Sequence, residues 1–172
     1  DVIYGQNGND SIDGGEGIDT INYSSSSSLV KVNLLNGTAT LGSYVDTLVG
    51  IETIIGTDYA DTIFGDSGVN RLTGGKGNDL IFGNSGSDII YGDEGSDIID
   101  GGTGIDILSY FSLTSAVSVD LSDGKAINGN HTDLISNIEW ILGSKHSDNI
   151  IGDAQSNKSE GSSGDDTIDG GA

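Results

Sequence analysis

One aliphatic position recurs every nine residues along much of this chain, with a variable residue on each side and six glycine-rich, polar residues between repeats. Residues 74–109 show the pattern without a break: GGKGNDLIF, GNSGSDIIY, GDEGSDIID and GGTGIDILS, with Ile81, Ile90, Ile99 and Leu108 at the aliphatic position. The period predicts three-residue strands joined by six-residue turns. Side chains alternate across a strand, so only the middle residue of each triplet points inward. Such a strand is too short to stand alone, and successive units must wind into coils that stack about 4.8 Å apart. Twelve aliphatic positions can be placed in the chain, and Ser159 is the one polar occupant.

The period breaks twice. It runs through residues 1–22, resumes over 56–109 and again over 143–172, and inserts fill 23–55 and 110–142. In the first insert, a serine tract at residues 24–28 reads as a surface loop, and Val30, Val32 and Leu34 alternate with polar residues as in a strand. Asn36-Gly37 is a hairpin-type turn, and residues 38–41 are the returning strand. Sliding the chain by 87 residues matches it to itself without a gap, with 37 identities over 85 positions. Val30, Val32, Asp46, Glu52 and Asp61 land on Val117, Val119, Asp133, Glu139 and Asp148. The inserts therefore belong to the repeating design, in one continuous region built from units 1–87 and 88–172.

The polar half of the unit has its own order. Glycine stands first and fourth and aspartate sixth, giving Asp10, Asp19, Asp61, Asp79, Asp88, Asp97, Asp106, Asp148 and Asp166, with Asn70 in one acid position and Asn157 in another. Stacked coils bring like carboxylates into a column, where they repel. A hard divalent cation reverses that sign, and Ca²⁺ accepts six to eight carboxylate and carbonyl oxygens in flexible geometry. Glycine turns expose such carbonyls, the candidates being those of Gly74, Gly77, Gly83, Gly86, Gly92, Gly95, Gly101 and Gly104. Asn70 brings no charge and should make a weaker site. Twenty-seven acids against six bases give a net charge of −21, which by itself would suggest disorder, but these acids are spaced rather than blocked. Mg²⁺ fits poorly because it demands rigid octahedral sites, and Zn²⁺ because there is no cysteine and His131 and His146 have no partner at metal-ligand spacing.

The unit GGxGxDxUx resembles the RTX (repeats-in-toxin, haemolysin-type) calcium-binding nonapeptide, and the resemblance covers nearly the whole chain. It implies an all-β fold, a right-handed parallel β-roll or solenoid with calcium in the turns, here in two similar 87-residue halves. It also implies two nonapeptides per coil and Ca²⁺ between one turn and the next but one, pairing Asp79 with Asp97 and Asp88 with Asp106. The function it implies is a non-catalytic, calcium-binding module of a larger secreted bacterial protein, extracellular or at the cell surface. Such a module passes unfolded through a type I secretion channel, folds on calcium outside, and serves as a stabilising or spacer region, as in adhesins. The chain starts in mid-repeat at Asp1, which reads as a segment of a longer protein. The looser match of the inserts is to large adhesins and surface proteins.

Other chemistries are disfavoured by particular residues. His131 lies in a polar turn and His146 replaces a turn glycine, so neither belongs to a nucleophile constellation and no enzyme is expected. The GGKG at residues 74–77 lacks the Ser or Thr and the helix of a phosphate loop. The charge argues against nucleic acid or an anionic membrane as a partner, and no apolar run is long enough to span a bilayer. The alternative is a polysaccharide-binding accessory module of a secreted enzyme such as an epimerase, lyase or protease. That role wants a basic or aromatic stripe, whereas Lys31, Arg71, Lys76, Lys125, Lys145 and Lys158 are scattered. Phe64 and Phe82, two units apart, are expected to stack on the outside of one face. The units from Gly74 to Asp106 should hold the best-ordered ions, and those around Asn157 the poorest.

Overall fold

The computed structural model describes residues 1–171; Ala172, the last residue of the third nonapeptide run, lies outside them. The first half of the chain forms β1 (Val2–Tyr4), β2 (Ser11–Asp13), β3 (Thr20–Asn22), β4 (Val30–Asn33), β5 (Thr38–Leu41), β6 (Tyr44–Val49), β7 (Thr53–Ile55), β8 (Thr62–Phe64), β9 (Arg71–Lys76) and β10 (Leu80–Phe82). The second half forms β11 (Ile89–Glu94), β12 (Ile98–Asp100), β13 (Ile107–Ser109), β14 (Val117–Asp120), β15 (Lys125–Asn128), β16 (His131–Ser136), β17 (Trp140–Leu142), β18 (Asn149–Ile151), β19 (Lys158–Glu160) and β20 (Thr167–Asp169). There is no helix among the described residues, so the fold is all-β.

Outside the inserts, successive strands alternate between two sheets, as the coils of a β-roll require. Each strand pairs in parallel with the strand one coil on, in a register of 18 residues, such as Leu80↔Ile98 and Val2↔Thr20. Two nonapeptides therefore make one coil. The first sheet has eight strands, in the order β1-β3-β7-β9-β11-β13-β17-β19, and every pairing is parallel. Its inward ladder is Ile3, Ile21, Ile54, Leu72, Ile90, Leu108, Ile141 and Ser159. The hydrophobic members from Ile21 to Ile141 are fully buried, while Ser159 is only half-buried yet keeps its strand in register.

The second sheet has twelve strands, in the order β2-β6-β5-β4-β8-β10-β12-β16-β15-β14-β18-β20. Each insert enters it as a three-stranded antiparallel meander, β4-β5-β6 and β14-β15-β16. Its outer strands rejoin the roll by parallel pairing, β6 on β2 and β4 on β8, then β16 on β12 and β14 on β18. In the eight-stranded sheet the same insert passes as a single step, with Thr20 of β3 directly opposite Thr53 of β7. The roll register therefore resumes at β6, before the glycine-led repeat at Gly56. As the sequence suggested, Phe64 and Phe82 stack, with ring centroids 5.0 Å apart and planes inclined by 5°.

Candidate metal centre

The turns align the sixth residue of every unit into two columns, one beside each sheet. In the regular coils the link is the same each time: one carboxylate oxygen accepts the backbone N–H of the column residue one coil earlier. Asp79 Oδ1 takes the Asp61 amide at 2.7 Å, Asp97 Oδ1 that of Asp79 at 2.9 Å, and Asp88 and Asp106 take those of Asn70 and Asp88 at 2.8 Å. The pairs Asp79–Asp97 and Asp88–Asp106 are thus neighbours in adjacent coils. All four residues are buried.

The second oxygen of each carboxylate decides what the column can hold. Oδ2 of Asp19, Asp79, Asp88, Asp97 and Asp106 is buried and has no hydrogen-bond partner. A buried carboxylate oxygen without a donor is costly unless a cation meets it. In each of these units the second turn residue has positive φ: Gly15, Gly75, Asn84, Asp93 and Gly102, at 66° to 105°. In four units where that residue is not left-handed, its N–H turns back onto the column side chain; in the unit of Asp10 the Gln6 N–H goes instead to the Tyr4 carbonyl. Thr57 N–H donates to Asp61 Oδ2 at 2.5 Å, and its hydroxyl lies 2.9 Å from Oδ1, which also accepts the Val30 amide. Ser144 repeats this on Asp148, with the Val117 amide completing the set. Asp66 and Asp153 likewise donate to Asn70 and Asn157 Oδ1, leaving each Nδ2 buried without a partner. The expected ligands Asp61, Asp148 and Asn70 are therefore placed in the columns but already engaged by protein donors. Asp10 is exposed and Asp166 half-buried, although Asp166 Oδ1 accepts the Asp148 amide.

The candidate carbonyls sort in the same way. A Cβ on Gly83 would run into Gly101 O and Asp88 Oδ2, and one on Gly74 into Asp79 Oδ2 with Gly92 O at 3.0 Å. The carbonyls of Gly92 and Gly101 thus face the same small space as open carboxylate oxygens. Those of Gly74 and Gly83 face Asp61 and Asn70 instead. Gly77 and Gly86 lie directly beneath Gly95 and Gly104, whose turns leave no room for a side chain. Among the described residues no three His, Cys, Asp or Glu side chains gather at one point, so a cation between coils must draw ligands from the backbone as well. That mixed oxygen set suits Ca²⁺.

Electrostatics raise several buried column carboxyls, the capped Asp61 and Asp133 among them. Burial, reinforced by neighbouring carboxylates, pushes the metal-free Asp79 up to about 7, Asp88 to about 6 and Asp97 to about 8. Asp106 is raised for the same reason, with Glu139 the first of its carboxylate neighbours.

Four column members were not identified as site residues in the sequence. Asp46 Oδ1 accepts the Asp10 amide and Asp133 Oδ1 that of Asp97, both at 3.0 Å. Their other oxygens accept buried tyrosine hydroxyls, Tyr23 on Asp46 at 2.9 Å and Tyr110 on Asp133 at 3.0 Å. Burial and the adjacent acid raise both phenols, so they remain protonated donors. In the other column, Glu52 Oε2 accepts the Asp19 amide at 3.0 Å and Glu139 Oε2 that of Asp106 at 2.9 Å. The sole signal in the sequence was the coincidence of Asp46 with Asp133 and of Glu52 with Glu139 at the 87-residue shift.

The RTX calcium-binding nonapeptide repeat matches the chain in four copies, over residues 1–21, 46–81, 73–108 and 151–172, which together take in more than half of it. The second copy begins at Asp46, where β6 has restored the roll register. No curated protein matches the chain.

Proposed function

The chain belongs to the RTX calcium-binding nonapeptide repeat family and is a calcium-binding repeat module, and we propose that it folds as calcium arrives outside the cell and serves as the stabilising spacer of a larger secreted bacterial protein. The observation that carries this reading is the row of buried, donorless Oδ2 atoms on Asp79, Asp88, Asp97 and Asp106. Calcium would be held by Asp79 with Asp97 and the Gly92 carbonyl, and by Asp88 with Asp106 and the Gly101 carbonyl. The ion supplies the positive charge that four buried carboxylates need in order to stay ionised. Its binding free energy is then part of the folding free energy. RTX repeats are in general structural modules of secreted proteins, which agrees with a non-catalytic, extracellular role.

The polysaccharide-binding reading is weakened by the basic residues. Arg71 stacks over Tyr91, Lys145 over Phe111 and Lys158 over Trp140, and Lys76 and Lys125 pair with Asp58 and Asp123, so five of the six cations are engaged within the molecule. A glycan array probed with the calcium-loaded chain separates the two, the spacer reading requiring no saturable binding.

The direct test is far-UV circular dichroism during a calcium titration, with magnesium as control. A cooperative gain of β signal with calcium and none with magnesium is expected. A chain fully folded in chelator and indifferent to calcium would sink the folding-switch reading.

A further inference from the structure

Asp19 and Asp106 are the last column residues before the nine-residue period stops, yet both keep a buried Oδ2 without a donor. Asp19 is 2 % exposed and Asp106 0 %. If ions sat only between regular nonapeptides, these two oxygens would face a coil with no partner for them. The coil that follows each comes from the end of an insert, and it carries a glutamate at the column position. Thr53 of β7 pairs with Thr20 and Trp140 of β17 with Ile107, which puts Glu52 one coil beyond Asp19 and Glu139 one coil beyond Asp106.

A third oxygen is present at each junction. The point where a Cβ on Gly101 would stand lies against Asn137 O and 2.9 Å from Asp106 Oδ2. The matching point at Gly14 lies against Gly50 O and 2.9 Å from Asp19 Cγ. Gly50 and Asn137 correspond at the 87-residue shift, and both are left-handed, at φ 60° and 53°. These carbonyls therefore stand where Gly101 O stands over Asp88 in a regular coil. Each glutamate uses Oε2 to accept the amide of the aspartate below, which leaves Oε1 for a cation.

We propose that Asp106, the Asn137 carbonyl and Glu139 form a calcium site at the insert junction, and that Asp19, the Gly50 carbonyl and Glu52 form its copy in the first half. The donor set is two carboxylates and a carbonyl, all hard oxygens, which selects Ca²⁺ over thiophilic metals. The consequence is that metal binding runs on through the inserts along one column. In the other column, Tyr23 and Tyr110 take the place of the ion over Asp46 and Asp133.

This rests on the column binding calcium at all, and the test keeps the two failures apart. Native mass spectrometry of the full chain counts bound Ca²⁺ in the wild type, in Glu52→Gln and in Glu139→Gln. Glutamine keeps an oxygen for the amide of Asp19 or Asp106 and removes the charge, so a merely structural glutamate would tolerate it. Each variant is expected to bind one ion fewer, and the double variant two fewer. Tb³⁺ as a probe adds a local readout, because Trp140, the sole tryptophan, follows Glu139 directly. Tryptophan-sensitised terbium emission should be lost in Glu139→Gln and kept in Glu52→Gln. Circular dichroism at saturating calcium checks that each variant folds; should Glu139→Gln not fold, the ion count of Glu52→Gln decides. Unchanged counts and emission in variants of a calcium-binding wild type overturn the junction sites alone. A wild type that binds no calcium overturns the proposed function with them.

Discussion

A carboxylate buried between coils needs its charge met, and this chain meets it in two ways. At Asp133 the Tyr110 hydroxyl donates to Oδ2, while at Asp97, one coil earlier, Oδ2 has no donor. Removing the hydroxyl by Tyr110→Phe strands a buried acceptor, and the expected loss is about 1–3 kcal/mol. Urea unfolding at saturating calcium measures it, and a neutral variant would show that Asp133 finds another donor. Proton linkage gives a second prediction at this scale. The metal-free folded state holds Asp79, Asp88 and Asp97 near 7, 6 and 8, against about 3.9 for an unfolded aspartate. The folded state therefore binds more protons than the unfolded state between those limits. Without calcium, these three groups contribute stability that is fully present below about pH 4 and is lost as the pH rises through 8. Calcium needs the ionised carboxylates, so its apparent affinity moves the opposite way and falls as the solution is acidified below about pH 8. Denaturation followed across pH 4 to 8 with and without calcium should give slopes of opposite sign; parallel slopes would mean that protons and calcium do not compete for these groups.

At the scale of the single coil, the turn matters more than the strand. Gly104 has φ 143°, and a Cβ on it would run into the Gly86 carbonyl of the coil before. Gly104→Ala should cost about 3 kcal/mol, the upper range for a single substitution, as a drop in the calcium-saturated melting temperature. A tolerated alanine would show that the coils have slack. Strands such as β8, β10 and β12 were legible in the sequence because one inward aliphatic residue and one aspartate recur every nine residues. β4 and β5 were legible from Val30–Lys31–Val32 alternation and the turn at Asn36-Gly37. β6 and β16 were not, because the two-residue turns before them, Gly42-Ser43 and Gly129-Asn130, lack the six-residue glycine–aspartate spacing that would mark Asp46 and Asp133 as column residues. The hydroxyls that satisfy those acids lie 23 residues earlier, at Tyr23 and Tyr110, and only folding brings them together. The distinction between open and capped aspartates was equally hidden. It depends on whether the second turn residue is left-handed, and Asn84 and Asp93 take that conformation without being glycine.

Over the whole molecule, twelve strands lie on one side and eight on the other. At about 4.8 Å per strand the longer sheet exceeds the shorter by about 19 Å, so the two cannot run flat against each other along their full length. The difference is concentrated at the two meanders, where protein donors meet the nearby column carboxylates. The antiparallel pairings of the meanders are local in sequence, and Asp46, Asp61, Asp133 and Asp148 around them have protein donors on both oxygens. Between them, β10 to β13 rest on Asp79, Asp88, Asp97 and Asp106, whose Oδ2 atoms are bare. The net charge of −21 presses on every coil, and the lysine ion pairs with Asp58, Asp123 and Glu160 are at the surface, where such pairs add little. Drawing calcium down should therefore release the central coils first. Hydrogen exchange at stepwise lower free calcium is expected to show β10–β13 amides losing protection while β4–β6 and β14–β16 retain theirs. Uniform loss across the chain would mean that the meanders are held by the same ions as the coils, and that the tyrosine and hydroxyl donors do not substitute for calcium.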